Sequence, residues 1–325
     1  MTVAETAVAH HVGIGDGILN VNKPAGWTSH DVVAKVRGLV KGLKIGHAGT
    51  LDPAATGVLP VLVGRGTRIA EYLLDWDKEY RAVLRLGRTT ETQDATGAVL
   101  ATRSLDGLTE AQIRSAIARF RGRITQVPPM YSAVKVDGVP LYKSARAGRT
   151  VEREPRTVEI YELEVLSIAG ADVTLRVRCS KGTYVRTLCA DIGEALGVGG
   201  HLLSLQRTRV GPLAVEQALT LETIGARAAA GRLTEDLLAL DDALASVPAI
   251  VVDGRTAEHV RHGAAVPAGA GRWMAQPGPG PVVRIKDEAG RLLALGKTGV
   301  AQAGGAGAPA VTIEKVLVDA GTVSR

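Results

Sequence analysis

Gly46-His47-Ala48-Gly49-Thr50-Leu51-Asp52-Pro53-Ala54-Ala55-Thr56-Gly57-Val58-Leu59-Pro60 surrounds one carboxylate with a histidine, three glycines and two prolines. Such a composition is unsuited to a regular helix or strand. Gly46, Gly49 and Gly57 permit backbone angles closed to other residues, while Pro53 fixes its own φ and biases Asp52 toward an extended conformation. The pattern predicts a loop built to hold Asp52 in one place. An isolated Asp-Pro is by default a solvated turn or a helix cap. The length of this pattern argues for a site instead.

Working outward, Ile18 to Val21 reads as a short strand and Ser29 as the cap of a helix over about His30 to Val40, with Val32, Val33, Val36, Leu39 and Val40 on its apolar side. Beyond the loop, Val58 to Val63 is a compact apolar run expected as a buried strand. Tyr80 to Leu86 alternates Ala82, Leu84 and Leu86 against Arg81, Val83 and Arg85. Thr109 with Gln112 resembles a capping box ahead of a helix through Phe120, and Ile113, Ile117 and Phe120 repeat at helical spacing. Thr157 to Ile168 and Val173 to Cys179 read as a hairpin turning near Gly170. A turn at Lys181-Gly182 and a helix from Tyr184 to about Leu196 then place Arg186 on a first helical turn. Leu221 to Leu240 reads as short helices broken at Gly225 and Gly231. These elements predict an α+β catalytic-size domain over 17–247, a mixed and mainly antiparallel sheet with flanking helices. From about Pro248 to the end, Gly, Ala, Pro and runs such as Val282-Val283-Arg284-Ile285 predict a small β-rich domain, with Ala301 to Pro309 as a low-complexity loop.

A chain of 325 residues with 46% hydrophobic residues has material for two cores. Lys+Arg 39 against Asp+Glu 33 leaves a net charge of +6, which favours a polyanionic partner. Only 3% of residues are aromatic, which excludes a module that grips single strands mainly by stacking successive bases. Cys179 and Cys189 lack ligand spacing and read as reduced, buried residues. Residues 1–16 have neither a basic start nor a continuous apolar segment, and no run approaches the roughly 20 apolar residues that span a membrane. A mobile N-terminal tail on a soluble, cytoplasmic protein is expected. His10-His11 is a solvated pair rather than a metal site.

The aspartate loop, read as G-H-x-G-x-L-D-P-x-A-x-G, resembles the signature of the TruB-type tRNA pseudouridine synthases. Four further stretches resemble that family in its order: Gly17 to Ser29, Asp77-Lys78-Glu79-Tyr80-Arg81, Pro128 to Lys135, and Cys179 to Thr187. The likeness covers about the first three quarters of the chain and weakens after Asp242. It implies the pseudouridine synthase fold, a C-terminal PUA-like RNA-binding domain, and isomerisation of uridine 55 in the T loop of tRNA. It also implies a stand-alone enzyme with no cofactor, no metal and no guide RNA, acting as a monomer. The irregular, basic stretch from Gln126 to Pro155 then reads as a mobile, RNA-facing insertion. Ala48 departs from the family, which often has Thr there.

That isomerisation breaks the C1′–N1 bond, turns the uracil while bound and rejoins it through C5, with no redox step. One ionised carboxylate suffices, by covalent attack or by stabilising an oxocarbenium-like sugar. The resemblance assigns this to Asp52 and leaves open sugar attack, base attack and a glycal route. Arg186 is its implied salt-bridge partner, since a guanidinium grips a carboxylate bidentately and keeps its own proton. Tyr80, a packing residue by default, is implied to stack on the flipped uracil and to handle the C5 proton. His47 is implied to fill the space the base vacates. Lys23 is either structural or phosphate-binding, and Tyr184 and Leu205 either line the base pocket or are ordinary core. Arg146, Arg149, Arg153, Lys181, Arg207 and Arg209 are candidate phosphate contacts. Three rivals stand beside this reading: a guide-dependent enzyme of the dyskerin kind, a non-catalytic protein that remodels the tRNA elbow, and a soluble α+β protein whose loop is only a structural turn.

Overall fold

The computed structural model describes residues 14–132, 134–136, 138–274, 282–299 and 310–319. The chain runs β1 (Gly17–Lys23), α1 (Ser29–Leu39), β2 (Ile45–His47), β3 (Thr56–Val63), α2 (Ala70–Leu73), β4 (Lys78–Leu86), β5 (Arg88–Thr90), β6 (Val99–Thr102), α3 (Glu110–Ala118) and β7 (Gly122–Gln126). It continues through β8 (Lys135–Val136), β9 (Val139–Pro140), α4 (Leu141–Arg146), β10 (Arg156–Ala169), β11 (Asp172–Cys179), α5 (Val185–Ala195), β12 (Gly200–Val210), β13 (Leu213–Ala214), α6 (Leu221–Ala229), β14 (Leu237–Leu238) and α7 (Leu240–Ala243). The last elements are β15 (Ala249–Val252), α8 (Gly254–Arg261), β16 (Gly271–Trp273), β17 (Val282–Asp287), β18 (Leu292–Thr298) and β19 (Val311–Val316).

Ten strands form one sheet in the order β14-β1-β3-β12-β4-β11-β10-β7, with β2 on β3 and β13 on β12. Every pairing is antiparallel except the join of β3 to β12, where only Gln206↔Thr56 and Arg207↔Gly57 meet in parallel. This short join divides the sheet into halves, and the aspartate loop enters β3 beside it. The continuous apolar run of β3 is explained by cover on both faces. Leu59, Val61 and Val63 pack with α1 and α6, while Val58 and Leu62 pack with Leu73, Leu240 and the C-terminal Leu295 and Leu317. Across the other half, Ala82, Leu84, Val173, Leu175 and Val177 bury α3 through Ile113 and Ile117, and α5 through Leu188 and Ile192. The five strands β16-β15-β17-β18-β19 form a separate sheet whose core includes Ala257 and Val260 of α8.

The hairpin, the buried strand and the Thr109–Gln112 capping box stand where the residue pattern put them. Other positions correct it. The cap of α1 is Thr28, which accepts from the Asp31 amide while Asp31 accepts from Thr28. Ser29 is buried one residue further and serves the loop. Gly225 lies inside α6 with open space around its Cα, so it interrupts nothing. Asp16, assigned to the tail, is tied down: its carboxylate accepts from the Arg65 amide and pairs with the Arg65 guanidinium at 3.0 Å. The basic insertion contains the β8–β9 hairpin and α4, with Leu141 fully buried. The calls on residues 1–13, including His10-His11, and on Ala301 to Pro309 lie outside the described residues. Among the described residues, no helix is long and apolar enough to cross a membrane.

Candidate active site

The loop 48–55 is held by its backbone, which leaves the Asp52 side chain free to be aimed. Ser29 Oγ donates to the Leu51 carbonyl at 3.1 Å and accepts from the Leu51 amide at 2.9 Å. Lys23 Nζ donates to the carbonyls of Pro24, Trp27 and Pro53 at 2.9, 2.7 and 3.1 Å. Lys23 has no exposed surface, and its three donors are all spent. Of its two expected roles it therefore has the structural one, and none of its protons is left for a phosphate. Burial draws its proton affinity down to about 8, with the Asp52 charge opposing. Gly49 and Gly57 supply the left-handed φ of +85° and +101° that the loop needs at its two ends.

Arg186 meets Asp52 from the first turn of α5. Its Nε lies 2.9 Å from Asp52 Oδ2, and its Nη2 lies 3.4 Å from Oδ1. The guanidinium side chain is 5% exposed and the carboxylate 41%, so a buried cation presents an open anion to the cleft. A cation at a helix start is disfavoured by the dipole. Here it is offset by Asp52 and by Asp94, whose Oδ2 lies 3.6 Å from Arg186 Nη1. The remaining donors are used as well: Nη1 reaches the Thr92 carbonyl at 3.3 Å and Nη2 the Tyr131 carbonyl at 2.9 Å. The start of α5 is itself fixed by Gln126, which accepts from the Tyr184 amide at 3.0 Å and donates to its carbonyl at 3.2 Å.

The pair opens into a cleft of about 600 Å³ lined by Asp52, Tyr80, Tyr184, Arg186, Leu205 and Lys181, among others. A volume of this size lies within the range of small-molecule sites and exceeds what one planar ring fills. Tyr80 is 9% exposed, and burial pushes its hydroxyl up to about 12, with the nearby Arg207 charge working against the rise. It therefore holds its proton at neutral pH. Tyr184 and Leu205 are half-buried on the cleft wall, and Leu205 also packs against the core beneath it. Lys78, also on the wall, is buried with its ammonium donating to the Leu74 and Trp76 carbonyls.

The remaining expected residues divide. His47 lies on β2, with its ring 6.3 Å from that of His30 in an edge-on arrangement and its Nδ1 buried without a partner. Burial lowers its proton affinity, and His30 and Arg207 add to the effect. Lys181 sits at the cleft mouth, paired with Asp75 and mostly exposed. Arg149 is exposed after α4, and Arg146 ends that helix. Arg207 departs from the phosphate-contact reading because it is buried, while Arg209 and Arg153 are partly exposed and already have partners within the protein. Arg207 is 1% exposed, Arg209 pairs with Asp77 at 3.1 Å on the sheet face, and Arg153 donates to the Pro128 carbonyl.

The match of a family model described as the TruB family pseudouridylate synthase N-terminal domain spans residues 37–185, the segment that holds the loop, Tyr80 and the strand pair leading to Arg186. A second, described as the tRNA pseudouridylate synthase B C-terminal domain, matches 186–251. A tRNA pseudouridine synthase B of Burkholderia mallei is 48% identical over 282 residues, covering 87% of this chain and 93% of the relative. The chain belongs to the TruB family of pseudouridylate synthases. A TruB-family relative from Geobacter sulfurreducens, also named tRNA pseudouridine synthase B, is 49% identical over 248 residues, 76% of this chain and 82% of its own length. Among solved structures, a Cbf5-Nop10-Gar1 complex contains a chain that matches with a TM-score of 0.73 at 32% identity, over 95% of this chain and 87% of that one. The mixed, mainly antiparallel sheet is thus the pseudouridine synthase fold, followed by a β-rich C-terminal unit.

Several residues of this TruB-family cleft carried no signal that was read from the chain. Asp94 is held by Thr92 Oγ1 at 2.6 Å, by the Thr96 amide at 2.9 Å and by Thr96 Oγ1 at 2.6 Å. Thr92-Gln93-Asp94-Ala95-Thr96 is a turn pattern an attentive reading can find. Gln126, 2% exposed, sits at the end of an ordinary strand and offers nothing of the kind.

Proposed function

We propose that this chain isomerises uridine 55 in the T loop of tRNA to pseudouridine, alone and without a guide RNA. The observation that carries the reading is the buried Arg186 fork aiming an open Asp52 carboxylate into a cleft that also holds Tyr80. In this reading the target base leaves its stack, at a cost of about a few kcal/mol, and is received against Tyr80 with Tyr184 and Leu205 as the apolar wall. Asp52 supplies the negative charge or the nucleophile that lets the glycosidic bond break. Arg186 keeps it ionised and oriented, and releases no proton of its own. In this reading Tyr80, neutral at rest, relays the C5 proton once the ring has turned, taking it up as its own hydroxyl proton is passed on. His47 fills the vacated stack. Lys181, Arg149 and Arg146 contact phosphates and recognise the arm by shape. The C-terminal unit, over 248–325, is read as an RNA-binding domain of the PUA kind, a reading that the exposed Arg255 and Arg272 support.

Support for tRNA as substrate comes from the names of the bacterial relatives. The test is pseudouridine mapping on an unmodified tRNA transcript with pure protein and no guide. Wild type is expected to modify the T-loop uridine and Asp52→Asn to bind without modifying it. Binding without modification by wild type would move the assignment to a guide-dependent or RNA-remodelling role, and normal turnover by Asp52→Asn would sink the aspartate mechanism.

A further inference from the structure

Arg207 is the largest side chain among the fully buried described residues. Its Nε donates to the Val58 carbonyl at 2.7 Å, its Nη2 to Gly49 at 3.0 Å and its Nη1 to Thr50 at 3.4 Å. All three acceptors are neutral carbonyls. Burying a cation costs several kcal/mol after relaxation, and a plain core would use an apolar side chain of similar size at this place. The three directions of the guanidinium plane, at a residue that also lines the cleft, point to a further role.

Those directions define it. Gly49 and Thr50 lie just before Asp52 in the chain, and Val58 lies after the loop has entered β3, so one rigid plane holds both limbs. The backbone of Arg207 is in register with Gly57 of β3 on one side and with Tyr80 of β4 on the other. The approach to β3 is so close that a Cβ on Gly57 would fall 2.2 Å from the Arg207 carbonyl oxygen. Register shifts in β12 on either side of this position re-aim the strand there.

We propose that Arg207 is a positioning residue for the reaction: by tying both limbs of the aspartate loop to the strand registered with Tyr80, it sets where Asp52 stands relative to the base. The inference rests on the function proposed above. Lys23 and Ser29 hold the loop from the α1 side, and Arg207 holds it from the sheet join. A misplacement of about 1 Å in such a carboxylate costs about 10²-fold in rate.

The experiment compares wild type, Arg207→Gln, Arg207→Lys and a control, Arg85→Gln, at a partly exposed residue paired with Asp172 away from the cleft lining, for kcat and KM on an unmodified tRNA transcript. Hydrogen exchange is followed in the peptides of 46–58 and of 249–273. Arg207→Gln is expected to lose about 10²-fold in kcat with KM within about threefold of wild type, and to exchange faster in 46–58 alone. Arg207→Lys recovers part of the kcat, because one ammonium reaches fewer of the carbonyls than the fork. Arg85→Gln turns over as wild type. Should Arg207→Gln fail to fold, the same comparison is read from Arg207→Lys. A kcat for Arg207→Lys and Arg207→Gln within about threefold of wild type would overturn the proposal. So would faster exchange in both regions, which makes Arg207 a general packing residue. Absence of pseudouridine from the wild-type reaction defeats the proposed function instead, and the exchange pattern still tests the loop contact.

Discussion

Asp52 and Arg186 differ in exposure, 41% against 5%, and the proposed mechanism gives them different tasks. In it the anion meets the substrate, and the cation is kept from being drawn away by RNA phosphates. With its donors divided between Asp52, Asp94 and two carbonyls, Arg186 has little freedom to leave. A lysine at this position offers one point charge in place of a fork. Arg186→Lys is therefore expected to bind tRNA but to lose about 10²-fold or more in kcat, measured under single-turnover conditions. At the cleft mouth the expectation is different. Lys181 and Asp75 are each 64% exposed, so their pair is screened and contributes little to folding. Lys181→Ala should leave stability within about 0.5 kcal/mol, weaken tRNA binding across sequences and reduce the salt slope of log Kd by about one. An unchanged slope would remove Lys181 from the phosphate contacts.

Among the elements, β3 and β12 matter most because their join is only two residue pairs long. Its closeness depends on Gly57, where φ is +101° and the Arg207 backbone occupies the space of a side chain. Gly57→Ala is expected to cost about 2 kcal/mol or more and to depress activity beyond the loss of folded protein, checked by urea unfolding beside kcat. The helices follow a different logic. Apolar periodicity located α1 and α3 well, since each buries one stripe against the sheet, whereas α5, buried all along Val185–Cys189, was found from the turn before it. The cap of α1 was misread by one residue because Thr28 and Ser29 are chemically alike as caps. What separates them is the distant Leu51, to which Ser29 turns. No local pattern contains that contact.

In the whole molecule the C-terminal sheet is joined to the large one by charge and packing together. Asp241 receives Arg284 at 2.7 Å and Lys286 at 2.6 Å, and Leu295 and Leu317 enter the core shared with Val58 and Leu62. Asp241→Ala leaves two half-hidden cations without their anion and is expected to cost about 2–3 kcal/mol, read as a lowered urea midpoint with unchanged slope. An unchanged midpoint would mean the apolar contact alone suffices. The chain alone was enough to identify the aspartate loop, the alternating strands, the helices and the Asp52, Tyr80 and Arg186 constellation. Glycine and proline restrict the backbone locally, apolar spacing reports which face is buried, and five ordered motifs point to one family. Only tertiary structure decided which cations stand open to solvent and which are spent inside. Lys23, Arg207 and Lys181 look alike as letters of sequence, yet two are buried against carbonyls contributed largely by the aspartate loop and its flanks and one stands at the open cleft. The difference lies in burial and in acceptors far along the chain, and those exist only once the sheet halves have met.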